Sequence, residues 1–236
     1  MRVTGPDGVR LYYERIGTGG PTLIVPGRLF LARDLAPLGR RHILILYDMR
    51  NRGRSSRVED GALLTMQKDM EDLEAVGRHF GVERFVPVGC CYLGFMVVLY
   101  AMEHPDRVER LVQLGPVPRK FGTVGRPERA SRLMSQCEME NEWPANLTRH
   151  FEHHFGAVQR MDVPREAVAH GTWDRNAPYA SGREWAMTLP DARLITVDGA
   201  AHQVTADAPE VVLGAIEEFV AGRWPRNAER VTRLER

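Results

Sequence analysis

The stretch Phe85-Val86-Pro87-Val88-Gly89-Cys90-Cys91-Tyr92-Leu93-Gly94-Phe95-Met96-Val97-Val98-Leu99 decides how the rest of the chain is read. A short apolar run stops at Gly89, and a longer one begins near Tyr92 and continues to Met102. The first has the length of a buried strand, the second that of a buried helix. A sharp turn between two such elements forces its central side chain outward. That side chain is Cys91, placed at a helix N-terminus. Free N–H groups and the helix dipole there favour a thiolate and can receive a developing oxyanion. The plain alternative is that Cys90 and Cys91 are small apolar residues packed at a helix start, since free cysteine is among the most buried types.

Upstream, Val9–Ile16 alternates as an early strand, and Thr22–Val25 is a short strand ending at Pro26-Gly27. His42–Leu46 is a continuous apolar run, typical of a strand covered on both faces. Met66, Met70, Leu73, Gly77 and Phe80 recur at helical spacing, giving an amphipathic helix that ends near Gly81. Downstream, Arg110–Leu114 reads as a strand, Tyr179–Thr188 as a helix, Arg193–Val197 as a strand and Ala206–Ala221 as a closing helix. That helix is expected to bury Val211, Val212, Ile216 and Phe219 with Val220. The tail from Trp224 to Arg236 is charged and expected to be mobile or a last exposed helix. Strands alternating with helices imply an α/β fold: a mostly parallel twisted sheet with helices on both faces.

The chain has 236 residues, 43% of them hydrophobic, enough for one sizeable core, so a single domain over 1–236 is expected. A net charge of +1 gives no reason to expect nucleic acid or an anionic membrane as partner. Three cysteines, two of them adjacent, make no disulfide framework and suit a reducing compartment. The N-terminus has no apolar leader-like segment and no run approaches membrane-spanning length, so a soluble cytoplasmic protein is expected. The oligomeric state is open.

The central stretch resembles the nucleophile elbow of the α/β-hydrolase superfamily, small-x-nucleophile-x-small. Leu99–Val108 resembles the helix end and next strand that come after the elbow in the proline-iminopeptidase-like and esterase-like branch. Three further landmarks fall in the right order. Tyr47–Ser55 is similar to the D-x-R-x-x-G-x-S turn ahead of the elbow. Gly171-Thr172-Trp173-Asp174-Arg175 resembles the loop that carries the triad acid, and Gly199-Ala200-Ala201-His202 the loop that carries the triad histidine. The chain departs from the family at the elbow, where Cys91 stands for the usual Ser and Leu93 takes the second small position, crowding the turn. It departs again at Pro164–Gly171, where a continuous apolar strand is the norm and this stretch is short and charged at its start. An abbreviated or irregular strand is expected there.

The resemblance implies that Cys91 is the nucleophile, His202 the general base and then acid, and Asp174 the orienting carboxylate. It also implies an oxyanion hole made by the backbone N–H groups of Arg28 and Tyr92; Pro26, having no N–H, cannot contribute. Asp198 is a second candidate acid but sits too close to His202. Asp48 and Arg50–Arg54 read better as structural ties than as binding residues. By position, 117–163 is a small helical lid whose Met134, Met139, Trp143 and Phe151 either line a pocket or pack on the main domain. His150, Glu152, His153 and His154 invite a metal reading, but a His pair at i, i+4 needs a third ligand in fixed geometry that the segment does not advertise. With no HExxH motif present, no metal or cofactor is expected. The function implied is a hydrolase forming an acyl-enzyme with small carboxylic esters, lactones or thioesters as small-molecule substrate. Amide cleavage is disfavoured because a tetrahedral intermediate expels the thiolate more readily than an unprotonated amine. Two alternatives stay open: an acyltransferase using the same triad, and a catalytically silent member that binds a ligand.

Overall fold

The computed structural model describes residues 1–117 and 164–233. Its strands are β1 (Arg2–Thr4), β2 (Arg10–Ile16), β3 (Thr22–Pro26), β4 (Ile43–Tyr47), β5 (Val86–Cys90), β6 (Leu111–Leu114), β7 (Glu166–Gly171), β8 (Ala192–Val197) and β9 (Ala228–Glu229). The helices are α1 (Arg28–Leu35), α2 (Met66–His79), α3 (Tyr92–Glu103), α4 (Tyr179–Thr188), α5 (Val204–Asp207) and α6 (Pro209–Val220). Spatial order across the sheet is β1-β2-β4-β3-β5-β6-β7-β8-β9. From β4 to β8 every neighbour pair is parallel; β1–β2, β2–β4 and β8–β9 are antiparallel. Among the described residues no helix is long and apolar enough to cross a membrane. The lid assignment, with Met134, Met139, Trp143 and Phe151, lies outside the described residues apart from Val117.

Strand alternation divides the core into two layers. In β4, Ile45 and Tyr47 face one layer, with α2, α3 and Trp185 of α4; Leu44 and Leu46 face the other, with α1 and α6. Helix α2 is amphipathic and starts at a Thr65 cap, whose hydroxyl accepts the Lys68 N–H at 3.3 Å. Helix α3 is different: all residues from Gly94 to Met102 are buried, because sheet and neighbouring helices cover it on every side. That explains its uninterrupted apolar run.

Three expectations need correction. β7 is neither irregular nor abbreviated: all six residues are buried, and it pairs along its length with β8. Its charged start is absorbed in two ways. Arg165 stays outside, bonded to Asp191 at 3.0 Å and stacked 5.4 Å from the Trp224 ring, while Glu166 is taken inside. The closing helix is broken, since Pro209 lacks an N–H and disfavours helical backbone at Ala208, whose φ, ψ are −139°, 61°. Restarting at Pro209 turns Val211 outward, 45% exposed, while Val212, Ile216, Phe219 and Val220 stay inside as expected. The tail is neither helix nor loose end up to Arg233. It adds β9 to the sheet edge, buries Val231 and lays Trp224 under Arg193 at 4.5 Å.

Glu166 carries an energetic consequence. Its side chain is buried and neither oxygen has a hydrogen-bond partner, so burial pushes its carboxyl well above the ordinary range. A carboxyl whose folded pKa is raised stabilises the fold at low pH and loses that contribution as pH rises. Glu166→Leu is therefore expected to raise stability at pH 8 by about 1–3 kcal/mol and by less at pH 5. Urea unfolding of both proteins at the two pH values measures this. An equal effect at both would show that Glu166 ionises in place.

Candidate active site

The elbow is built as its sequence requires. Cys91 follows β5 with φ 57° and ψ −123°, a region that L-residues seldom adopt, and it begins α3. Its N–H donates to Leu114 O at 3.0 Å, tying the turn to β6, and its carbonyl accepts the Gly94 N–H at 3.1 Å. Glycine is obligatory at 89: a Cβ there would lie 2.2 Å from the Leu93 carbonyl oxygen, where α3 crosses β5. Leu93 fits without distorting this turn because its side chain runs over Gly27. A Cβ at position 27 would lie 2.8 Å from Leu93 Cδ1, and Gly27 itself has φ 80°. Cys90, one residue earlier, belongs to β5 and packs into the opposite layer. Burial, with Cys91 and Asp174 nearby, pushes its thiol up, so it is poorly suited to act as a thiolate.

Asp174 and His202, 28 residues apart, are brought together: His202 Nδ1 lies 2.7 Å from Asp174 Oδ2. The other carboxylate oxygen accepts the N–H groups of Asn176 (2.8 Å) and Ala177 (2.9 Å). Burial opposes the charge on Asp174, but hydrogen bonds from His170, His202 and Ala177 outweigh it and hold the carboxyl well below the usual range. Burial likewise opposes an imidazolium at His202. Hydrogen bonds with Asp174 and with Cys91, and the charge of both, more than offset it and raise His202 to about 10. Since Nδ1 is committed to Asp174, Nε2 is left for the sulfur. Asp198 does not join this group; it accepts the Thr172 hydroxyl at 3.1 Å.

Arg28 opens α1 directly after Gly27, so its backbone N–H belongs to the first turn, whose donors the helix leaves unused. Its side chain turns the other way, reaching both Asp48 oxygens at 3.0 Å and Glu14 at 3.0 Å. Asp48 also accepts the Arg54 N–H at 2.9 Å, and Arg50 is buried against Asp72 at 2.7 and 2.8 Å and Asp7 at 2.8 Å. The turn after β4 is therefore a structural tie. Tyr92, the residue following Cys91, sends its hydroxyl to Asp69 Oδ2 at 2.9 Å. Burial pushes the Asp69 carboxyl up to about 7, although the Tyr92 bond pulls against it.

Two residues beside the site escaped the sequence reading. Asp69 shares the buried face of α2 with Met70 and Leu73, so a carboxylate on an apolar stripe was the available signal. His170 sits inside a buried strand four residues before Asp174. Among the described residues, no group of three or more His, Cys, Asp and Glu is arranged for a metal ion; His150, Glu152, His153 and His154 lie outside them.

A raised histidine stabilises the fold fully below its unfolded value near 6.5, and that contribution fades as pH climbs through about 10. Histidine NMR should find His202 titrating near 10, and both Asp174→Asn and Cys91→Ala should bring it down toward 6.5. A wild-type midpoint near 6.5 would contradict the arrangement.

Residues 25–131 match the alpha/beta hydrolase fold family. A non-heme haloperoxidase from Rhodococcus erythropolis is 25% identical over 272 residues, covering 92% of this chain and 98% of that protein. Among solved structures, an esterase from Exiguobacterium antarcticum superposes with a TM-score of 0.75 at 15% identity, over 94% of this chain and 99% of its own. An esterase described as an N-acyl homoserine lactone degrading enzyme gives 0.71 at 20% identity, over 93% and 100%. With the strained turn, the sheet order and these matches in hand, the chain has the α/β-hydrolase fold.

Proposed function

We propose that this chain is a hydrolase of small carboxylic esters, lactones or thioesters, working through an acyl-enzyme on Cys91. The observation that carries the reading is the 2.7 Å contact between His202 Nδ1 and Asp174, with Cys91 at the strained turn that opens α3. A thiol needs a base within reach, and the base needs an anion that fixes its tautomer and stabilises its charged form. Relatives named as an esterase and as a lactone degrading enzyme share the architecture and support that substrate class.

The thiolate of Cys91 attacks the substrate carbonyl carbon, forming a C–S bond. The carbonyl oxygen becomes an oxyanion held by the backbone N–H groups of Arg28 and Tyr92. As the intermediate collapses, the C–O bond to the leaving group breaks and the His202 imidazolium gives it a proton. Neutral His202 then takes a proton from water, the hydroxide adds to the thioester carbonyl, and sulfur leaves as thiolate beside the newly charged imidazole. Esters and lactones suit this site because their leaving oxygen competes with sulfur better than an amine does. Leu29 (54% exposed) and Phe30 (67% exposed) come after Arg28 on α1, and Trp173 (72% exposed) precedes Asp174, offering apolar surface to an acyl chain.

Cys91→Ala should abolish turnover on a panel of small esters and lactones, while Cys91→Ser retains or raises it. Iodoacetamide at neutral pH should modify Cys91 ahead of the other cysteines, as read by mass spectrometry. Equal slow labelling, with turnover absent in the wild type, would mark a ligand-binding homologue instead. Product analysis with added alcohol separates the acyl-transfer outcome from hydrolysis.

A further inference from the structure

His170 is the penultimate residue of β7, and its ring is fully buried. Its Nε2 lies 2.9 Å from the Ala177 carbonyl oxygen and 3.2 Å from Asp174 Oδ2. One nitrogen facing two acceptors has to carry the proton, so the ring is the Nε2–H tautomer and Nδ1 is bare. Nδ1 is buried and has no hydrogen-bond partner among the described residues. The ring presses against α4, where a Cβ at Gly182 would lie 2.5 Å from Nδ1, and Tyr179 meets it edge-on at 6.0 Å between centroids. The tautomer is thus locked by its surroundings.

The contact sets up a competition. Asp174 Oδ1 is already held by two backbone N–H groups, so the plane of the carboxylate needs no further anchor. Oδ2 is the oxygen that faces His202, and it is also the one that His170 touches. His170 Nε2–H gives its hydrogen bond to the Ala177 carbonyl. Its dipole, 3.2 Å from Oδ2, still draws on that oxygen's charge, so His202 is bound less tightly than it would be alone. The titratable groups facing this pair are Cys90 and Cys91 at the elbow, His202 after β8 and Tyr179 on α4. Tyr179 directs its hydroxyl to Thr196 at 2.5 Å rather than to the carboxylate.

We propose that His170 is a positioning residue acting on His202 only through Asp174: with its Nε2–H dipole 3.2 Å from Oδ2 it limits the charge that the carboxylate offers to the imidazole. The proposal rests on the assignment of His202 and Asp174 as base and carboxylate. Its chemical sense is that an imidazolium held too firmly is a poor acid toward a leaving group and regenerates the base slowly. His170 tempers that hold.

The test is long-range proton–nitrogen NMR on the full chain labelled with 15N-histidine, across pH, for the wild type, His170→Leu and His170→Gln. Wild-type His170 should carry a proton on Nε2. Removing the donor in His170→Leu should move the His202 midpoint upward by about half a pH unit. His170→Gln, whose amide N–H can reach Oδ2, should restore the wild-type midpoint. A merely structural histidine would lower the melting temperature in both variants without moving the midpoint. A proton on Nδ1, or a His202 midpoint unchanged or lowered in a folded His170→Leu, overturns the proposal. Should the leucine variant not fold, the wild-type tautomer and the glutamine midpoint decide it, and a glutamine midpoint away from wild type counts against. The readout needs no substrate, so loss of this proposal and absence of esterase turnover are separate results.

Discussion

A single buried carboxylate organises this site. Asp174 accepts hydrogen bonds on both oxygens, from two backbone N–H groups on one side and His202 on the other, where His170 Nε2 also lies 3.2 Å away. Burying an anion costs several kcal/mol unless its lone pairs are satisfied and a counter-charge is near. Here the satisfaction comes mostly from groups fixed by the fold: a tight loop after β7 and a ring pinned by α4. His202 supplies the counter-charge, and the sulfur at the elbow favours that charge from the other side. The imidazole sits between an anchored acid and a strained turn, and both depend on parallel strands that end at the same edge of the sheet.

Apolar runs and glycine-bounded turns carried most of the architecture. Thr22–Pro26, Ile43–Tyr47 and Val86–Cys90 are uninterrupted apolar strands, and the buried face of α2 repeats at helical spacing, so each is visible in one dimension. Helix α1 offers only Leu31 and Leu35 as buried residues, too few for a periodic signal, and its position comes from docking between β3 and β4. β7 misled for a different reason. A glutamate in a short run reads as a surface residue, because ionised carboxylates are almost never fully buried. Nothing local shows that this one is taken inside, where burial pushes its carboxyl up.

The site divides along the same line. Cys91, Asp174 and His202 come after turn-forming glycines that close strands, and their order along the chain matches a known pattern, so they could be named without coordinates. The partners that tune them could not. Asp69 and His170 matter because of the groups facing them across the core: the Tyr92 hydroxyl in one case and Asp174 in the other. Such pairings depend on the relative placement of elements distant in sequence. The turn after β4 shows the reverse case. Its cluster of charges looks reactive on paper, yet Asp48, Arg28, Arg50 and Asp72 use their hydrogen bonds on one another.

Leu93 lying over Gly27 links two parts of the molecule that the chain keeps far apart. One is the helix behind the sulfur, the other the turn that opens α1. Glycine at 27 is held on two counts: its φ of 80°, and the Leu93 methyl that a Cβ would meet at 2.8 Å. A smaller residue at 93 would remove that contact but not the left-handed backbone at 27, so the demand for glycine there outlasts any change in its neighbour.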